Sequence, residues 1–139
     1  MSTNVARSDD VERLQAVFGA YPEIQAVFLF GSQASGAVHA ESDLDLAVVP
    51  RSSAARDFRL DILADLTRQG FDNVDLVFLD SDDIVLRHQA VRLNRLVYQV
   101  RDFDRGAFYS RVIREYLDFL PYLEVQREAY KRRLLRGQS

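Results

Sequence analysis

Apolar and polar positions along the chain follow two periods, and segments of the two kinds alternate. Val11, Leu14, Val17 and Phe18 recur at helical spacing, and Asp9-x-x-Glu12 reads as a capping box at the start of that helix. Gly19 and Tyr21-Pro22 should end it. Ala26-Val-Phe-Leu-Phe30 is short, aromatic and β-branched, which predicts a buried strand. Residues 31–42 are mostly small or polar and predict a loop or a short helix. Asp43 to Val49 predicts a second strand, stopped by Pro50. Phe58, Ile62, Leu63 and Leu66 give helical spacing across Ala54 to Gln69, with Gly70 as the residue that turns the chain out of the helix. Val74-Asp-Leu-Val-Phe-Leu79 predicts a third strand, Ser81-Asp-Asp83 the start of a helix reaching about Leu93, and Leu96 to Val100 a short edge strand. From about Asp104 to Leu135 the pattern is helical again, with Pro121 expected to break or kink it, because proline lacks a donor and clashes with the preceding turn.

No repeat, low-complexity stretch or linker interrupts this order, so it predicts one α/β (α+β) domain spanning 1–139. Its core covers about residues 8–100, followed by a helical segment over about 104–136. The expected form is a small mixed β-sheet with helices packed mainly on one face and a C-terminal helix that extends away. A chain of 139 residues can bury a core without cross-links. The absence of cysteine excludes disulfides and thiolate metal sites and fits a reducing compartment. No apolar run reaches the roughly 18 residues of a membrane span. The polar N-terminus lacks a signal-peptide core, so a cytoplasmic protein without membrane contact is expected.

Charge divides the chain. Residues 1–100 carry 9 basic and 15 acidic side chains, and residues 101–139 carry 9 basic and 6 acidic. The net charge of −3 argues against a dedicated nucleic-acid binder. The basic tail is either a solvated helix or a surface for an acidic partner. Its aromatic content favours a partner: Phe108, Val112, Tyr116, Phe119 and Leu123 recur near helical spacing, and Tyr109, Tyr122 and Tyr130 lie beyond one stripe.

The chemistry concentrates between the first two strands and at the third. An apolar run stops at Gly31-Ser32, and after ten residues Asp43-Leu-Asp45 opens the next apolar run. Strand side chains alternate faces, so Asp43 and Asp45 point the same way while Leu44, Leu46 and Val48 point into a core. Like-charged carboxylates on one strand face are costly, and a cation offsets that cost. Oxygen donors without cysteine or a histidine cluster suit Mg²⁺ or Mn²⁺. Asp75, at the start of the third strand, can join them as a third metal ligand if strands two and three are neighbours, and can help deprotonate a nucleophile. Gly31 lets backbone approach a triphosphate closely. Ser32 offers a hydroxyl and an N–H to its terminal phosphates. Two metals, a phosphate cradle and three carboxylates are the apparatus of nucleotidyl transfer. The plainer alternatives are solvent-facing caps at a strand start for Asp43 and Asp45, an edge aspartate for Asp75, and a simple turn for Gly31-Ser32. His39 and His88 lack metal-ligand spacing and read as surface residues, and the glycines form neither a dinucleotide fingerprint nor a Walker loop.

Gly31-Ser32-x10-Asp43-x-Asp45 with a later strand aspartate, Asp75, resembles the nucleotidyltransferases of the DNA polymerase β superfamily. The short chain is most similar to the minimal nucleotidyltransferase (MNT) antitoxins that partner HEPN ribonuclease toxins. Tyr116-Leu-Asp-Phe-Leu-Pro-Tyr122, Tyr130 and Leu134-Leu135 look like the C-terminal helix of those antitoxins. The resemblance implies ATP as substrate, a HEPN toxin as partner, and transfer of AMP to a toxin tyrosine that blocks its RNase activity. Alternatives are an antitoxin acting by stoichiometric binding and a small-molecule nucleotidyltransferase, although little chain remains for a separate acceptor domain. The family often reads Gly-Ser-Arg-Ala-Arg-Gly. Here Gln33 and Ser35 replace both arginines, so help with the triphosphate is expected to be weaker or to come from Arg51, Arg56 or a partner's cation.

Overall fold

The structure, a computed structural model, describes residues 8–29, 44–80 and 83–137. Four strands, β1 (Ile24–Leu29), β2 (Leu44–Pro50), β3 (Val74–Phe78) and β4 (Leu96–Gln99), form one sheet in the order β3-β2-β1-β4. β1 pairs antiparallel with both β2 and β4, whereas β2 and β3 run parallel. A parallel pair needs a crossover. Here a 3-10 segment (Ser53–Phe58) leading into a helix supplies it. The helices are α1 (Ser8–Phe18), α2 (Arg59–Arg68), α3 (Ile84–Leu93) and α4 (Arg105–Gly137).

Local chemistry sets most boundaries. The Asp83 carboxylate accepts the Leu86 N–H at 3.0 Å and caps α3, and Asn94 turns the chain out of that helix with φ 54°. Gly70 follows α2 at φ +98°, a conformation that costs residues with a Cβ. Asp9 and Asp10 lie within the first turn of α1 rather than capping it, because the helix already includes Ser8. There the two carboxylates still favour the helix through its dipole.

Helices cover both faces of the sheet, not mainly one. Leu44, Leu46 and Val48 of β2 meet Leu14 and Phe18 of α1 and Ile62 and Leu66 of α2. On the other face Ala26, Phe28, Ala47 and Val49 pack against Ala90 and Val91 of α3 and Phe108 and Val112 of α4. The cause is the near-continuous apolar character of β1 and β2, which leaves neither face fit for water. α3 and α4 are antiparallel neighbours. Asn94 accepts from Arg105 and Tyr109 early in α4, while Arg87 and His88 meet Glu115 and Tyr116 a few turns on.

α4 runs 33 residues without interruption, with Pro121 inside it. The expected break does not occur. Proline frees only the carbonyl four residues back, at Leu117, and Leu117 is 58% exposed, so water can satisfy that group. Only Phe108 and Val112 of α4 are buried, and further along Tyr122, Val125, Tyr130, Leu134 and Leu135 are exposed.

Candidate active site

The starts of β2 and β3 lie side by side. The Leu44 N–H donates to the Asn73 carbonyl at 3.3 Å, which joins the two strands at this end. In the parallel register Asp45 sits directly opposite Asp75. Registered residues share a face, and neighbouring strands are about 4.8 Å apart, so both carboxylates leave the same side of the sheet. Asp45 is half-buried and Asp75 is exposed. Their face is the one covered further along by α3 and α4, through Ala47, Val49 and Val77. β1 ends beside this place, since Leu29 pairs with Leu46. Gly31, Ser32, Asp43 and His39 lie outside the described residues.

The neighbourhood of strands two and three, on which a role for Asp75 depends, is therefore present. Opposed like charges across a ladder repel, and a divalent cation between them turns that repulsion into attraction. Two hard oxygen donors fit Mg²⁺ or Mn²⁺ in kind. Among the described residues no group of three or more acidic, histidine or cysteine side chains converges.

Arg51 and Arg56 are not at this end. They follow the far end of β2, about 16 Å from Asp45 at roughly 3.3 Å per residue. Arg51 donates to the Pro22 carbonyl and pairs with Asp102 at 3.1 Å, and Arg56 pairs with Asp80. The hydrogen bond from Arg51, then its charge, holds the Asp102 carboxyl below its ordinary range. Neither arginine lies at the acidic end, because each is held at the far end of the strand.

Two features escaped the sequence. Arg87, which the helical pattern did not single out, is 5% exposed and lies 2.6 Å from Glu115. His88 is half-buried and stacks on the Tyr116 ring at 3.6 Å between centroids. Burial, then the charge of Arg92, pushes its imidazole below the ordinary value. The small and apolar residues Ala90 and Val91 on the same helix were the available hint that this face packs inward.

A mixed sheet with paired acidic strand starts and helices on both faces defines a class. The family described as polymerase beta, nucleotidyltransferase matches residues 12–103, and the chain belongs to it. It is 30% identical over 108 residues to the protein adenylyltransferase MntA of Shewanella oneidensis, covering 78% of this chain and 74% of that protein. A crystal structure of a toxin–antitoxin with AMP-PNP contains a chain 25% identical to this one, at a TM-score of 0.68 over 91% of this chain and 98% of that chain. A structure of the tri-AMPylated Shewanella oneidensis HEPN toxin in complex with MNT antitoxin shares the fold, with 22% identity and a TM-score of 0.62 over 96% of this chain and 99% of that one. The chain is thus a homologue of the MntA antitoxins, with a long C-terminal helix on a nucleotidyltransferase sheet. No helix among the described residues is long and apolar enough to cross a membrane.

Proposed function

We propose that this protein is an antitoxin that transfers AMP from ATP to a tyrosine of a cognate HEPN RNase toxin and thereby neutralises it. The observation that carries the reading is the register that sets Asp45 opposite Asp75, on a chain related to a protein adenylyltransferase. Divalent ions held by Asp43, Asp45 and Asp75 would polarise the attacking oxygen and neutralise the departing pyrophosphate. The chain's own part is to bind, orient and move a proton. Gly31 admits the triphosphate close to backbone, and Ser32 donates to its terminal phosphates. The tyrosine oxygen forms a bond to the α-phosphorus as the bond to the pyrophosphate oxygen breaks. Asp75, the more exposed of the two described carboxylates, takes the phenolic proton at a carboxylate oxygen. The α4 segment within 104–136 presents the partner surface, which is supported by its exposed Leu117, Tyr122, Val125 and Tyr130.

The test supplies purified protein with ATP labelled at the α-phosphate, Mg²⁺ and the toxin encoded beside it. Label should appear on a toxin tyrosine and vanish with Asp43→Ala plus Asp45→Ala. An unlabelled toxin, or equal labelling by the double variant, rejects the proposal. The exposed apolar face of α4 favours one second reading, neutralisation by binding alone. It holds if the double variant still protects cells expressing the toxin.

A further inference from the structure

At the end of the sheet away from Asp45 and Asp75, a cavity of about 560 Å³ opens between the C-terminal ends of β2 and β3 and the helices α3 and α4. Four guanidinium groups line it, from Arg51, Arg56, Arg87 and Arg111, against two carboxylates, Asp80 and Glu115. These arginines come from three separate segments of the chain, which the fold brings together. Arg87 is the informative member. Its Nη1 forms an ion pair with Glu115 Oε1 at 2.6 Å, and neither of these buried atoms has a further hydrogen-bond partner among the described residues. A guanidinium carries five N–H donors, more than a single carboxylate takes. Arg111 is exposed, lies over the Phe108 ring at 5.8 Å and forms no ion pair among the described residues. Phe108 also carries Arg87 at 5.9 Å, so one ring supports both planar groups. Ser52 and Ser53 also line the cavity.

We propose that this cavity binds a phosphate-bearing small molecule of nucleotide size, apart from the acidic end of the sheet. Guanidinium forks match phosphate oxygens in pairs, and the volume falls in the range of small-molecule sites. The buried Ala47 lies between Asp45 and the cavity-lining Val49 on β2, so the two sites are distinct places on one sheet face.

Pyrophosphate, AMP and ATP, each titrated in EDTA against isotope-labelled protein and followed by amide chemical shifts, test it. Binding should perturb amides around Arg51, Ser53, Arg87 and Arg111 and weaken as salt rises. Arg111→Gln, at an exposed position, should weaken pyrophosphate about ten- to hundredfold, the size of a lost hydrogen bond to a charged group. Glu115→Gln should tighten it severalfold by releasing Arg87. Equal binding of pyrophosphate and ATP assigns recognition to the phosphates, and binding of ATP alone adds the nucleoside. Either supports the site. No binding of any of the three at millimolar concentration, shifts confined to Asp45 and Asp75, or an affinity indifferent to both substitutions overturns it.

Discussion

Replacing Asp75 by asparagine should make the metal-free protein more stable while disabling it. Asp75 and Asp45 are directly opposed in the parallel ladder, whose strands are about 5 Å apart. Two like charges at that distance repel by about 0.8 kcal/mol in bulk water and by about 3 kcal/mol at an effective dielectric of 20. Asp75 is exposed, so the lower part of that range applies and about 1 kcal/mol is expected. For a chain of this size that raises Tm by about 2–4 °C. The assay is thermal unfolding in EDTA at low salt, repeated in 1 M salt, where screening should shrink the gain. Adding Mg²⁺ should stabilise the parent by ligand linkage and the variant much less, and transfer activity should fall at least a hundredfold. An Asp75→Asn protein with a lower Tm in EDTA and undiminished stabilisation by Mg²⁺ refutes the view that these carboxylates form a cation site.

The remaining expectations concern the scaffold. Leu66→Ala, at a position with no exposure, should cost about 2–5 kcal/mol in urea unfolding through lost burial and a cavity. Gly70→Ala forces a Cβ into φ +98° and to 3.1 Å from Arg13 Nη1. It should destabilise by about 1 kcal/mol or more, whereas the same change at the open Gly137 should be nearly silent. Burial first, then the hydrogen bond to Asp65, pushes the Tyr21 phenol from 10.0 up to about 12. In that window the native state keeps a proton that the unfolded chain releases, so this contribution is full below pH 10 and is lost as pH rises toward 12. Denaturant midpoints measured from pH 9 to 11.5 should fall less steeply for Tyr21→Phe than for the parent.

The order of helices and strands is written in the sequence because it depends on local period and turn chemistry. The apolar runs at β1 and β2, the capping Asp83 and the left-handed Gly70 each act within a few residues. The pairing of Asp45 with Asp75 was only conditional at that level, since strand adjacency depends on how the crossover packs. Covering both sheet faces, continuing α4 through Pro121 and bringing four arginines to one cavity are likewise tertiary outcomes. They are decided by which apolar surfaces remain after the local elements form and by where water can still reach the backbone. That is why Arg87, an unremarkable charge in a helical stretch, is legible only once Phe108 and Glu115 have folded against it.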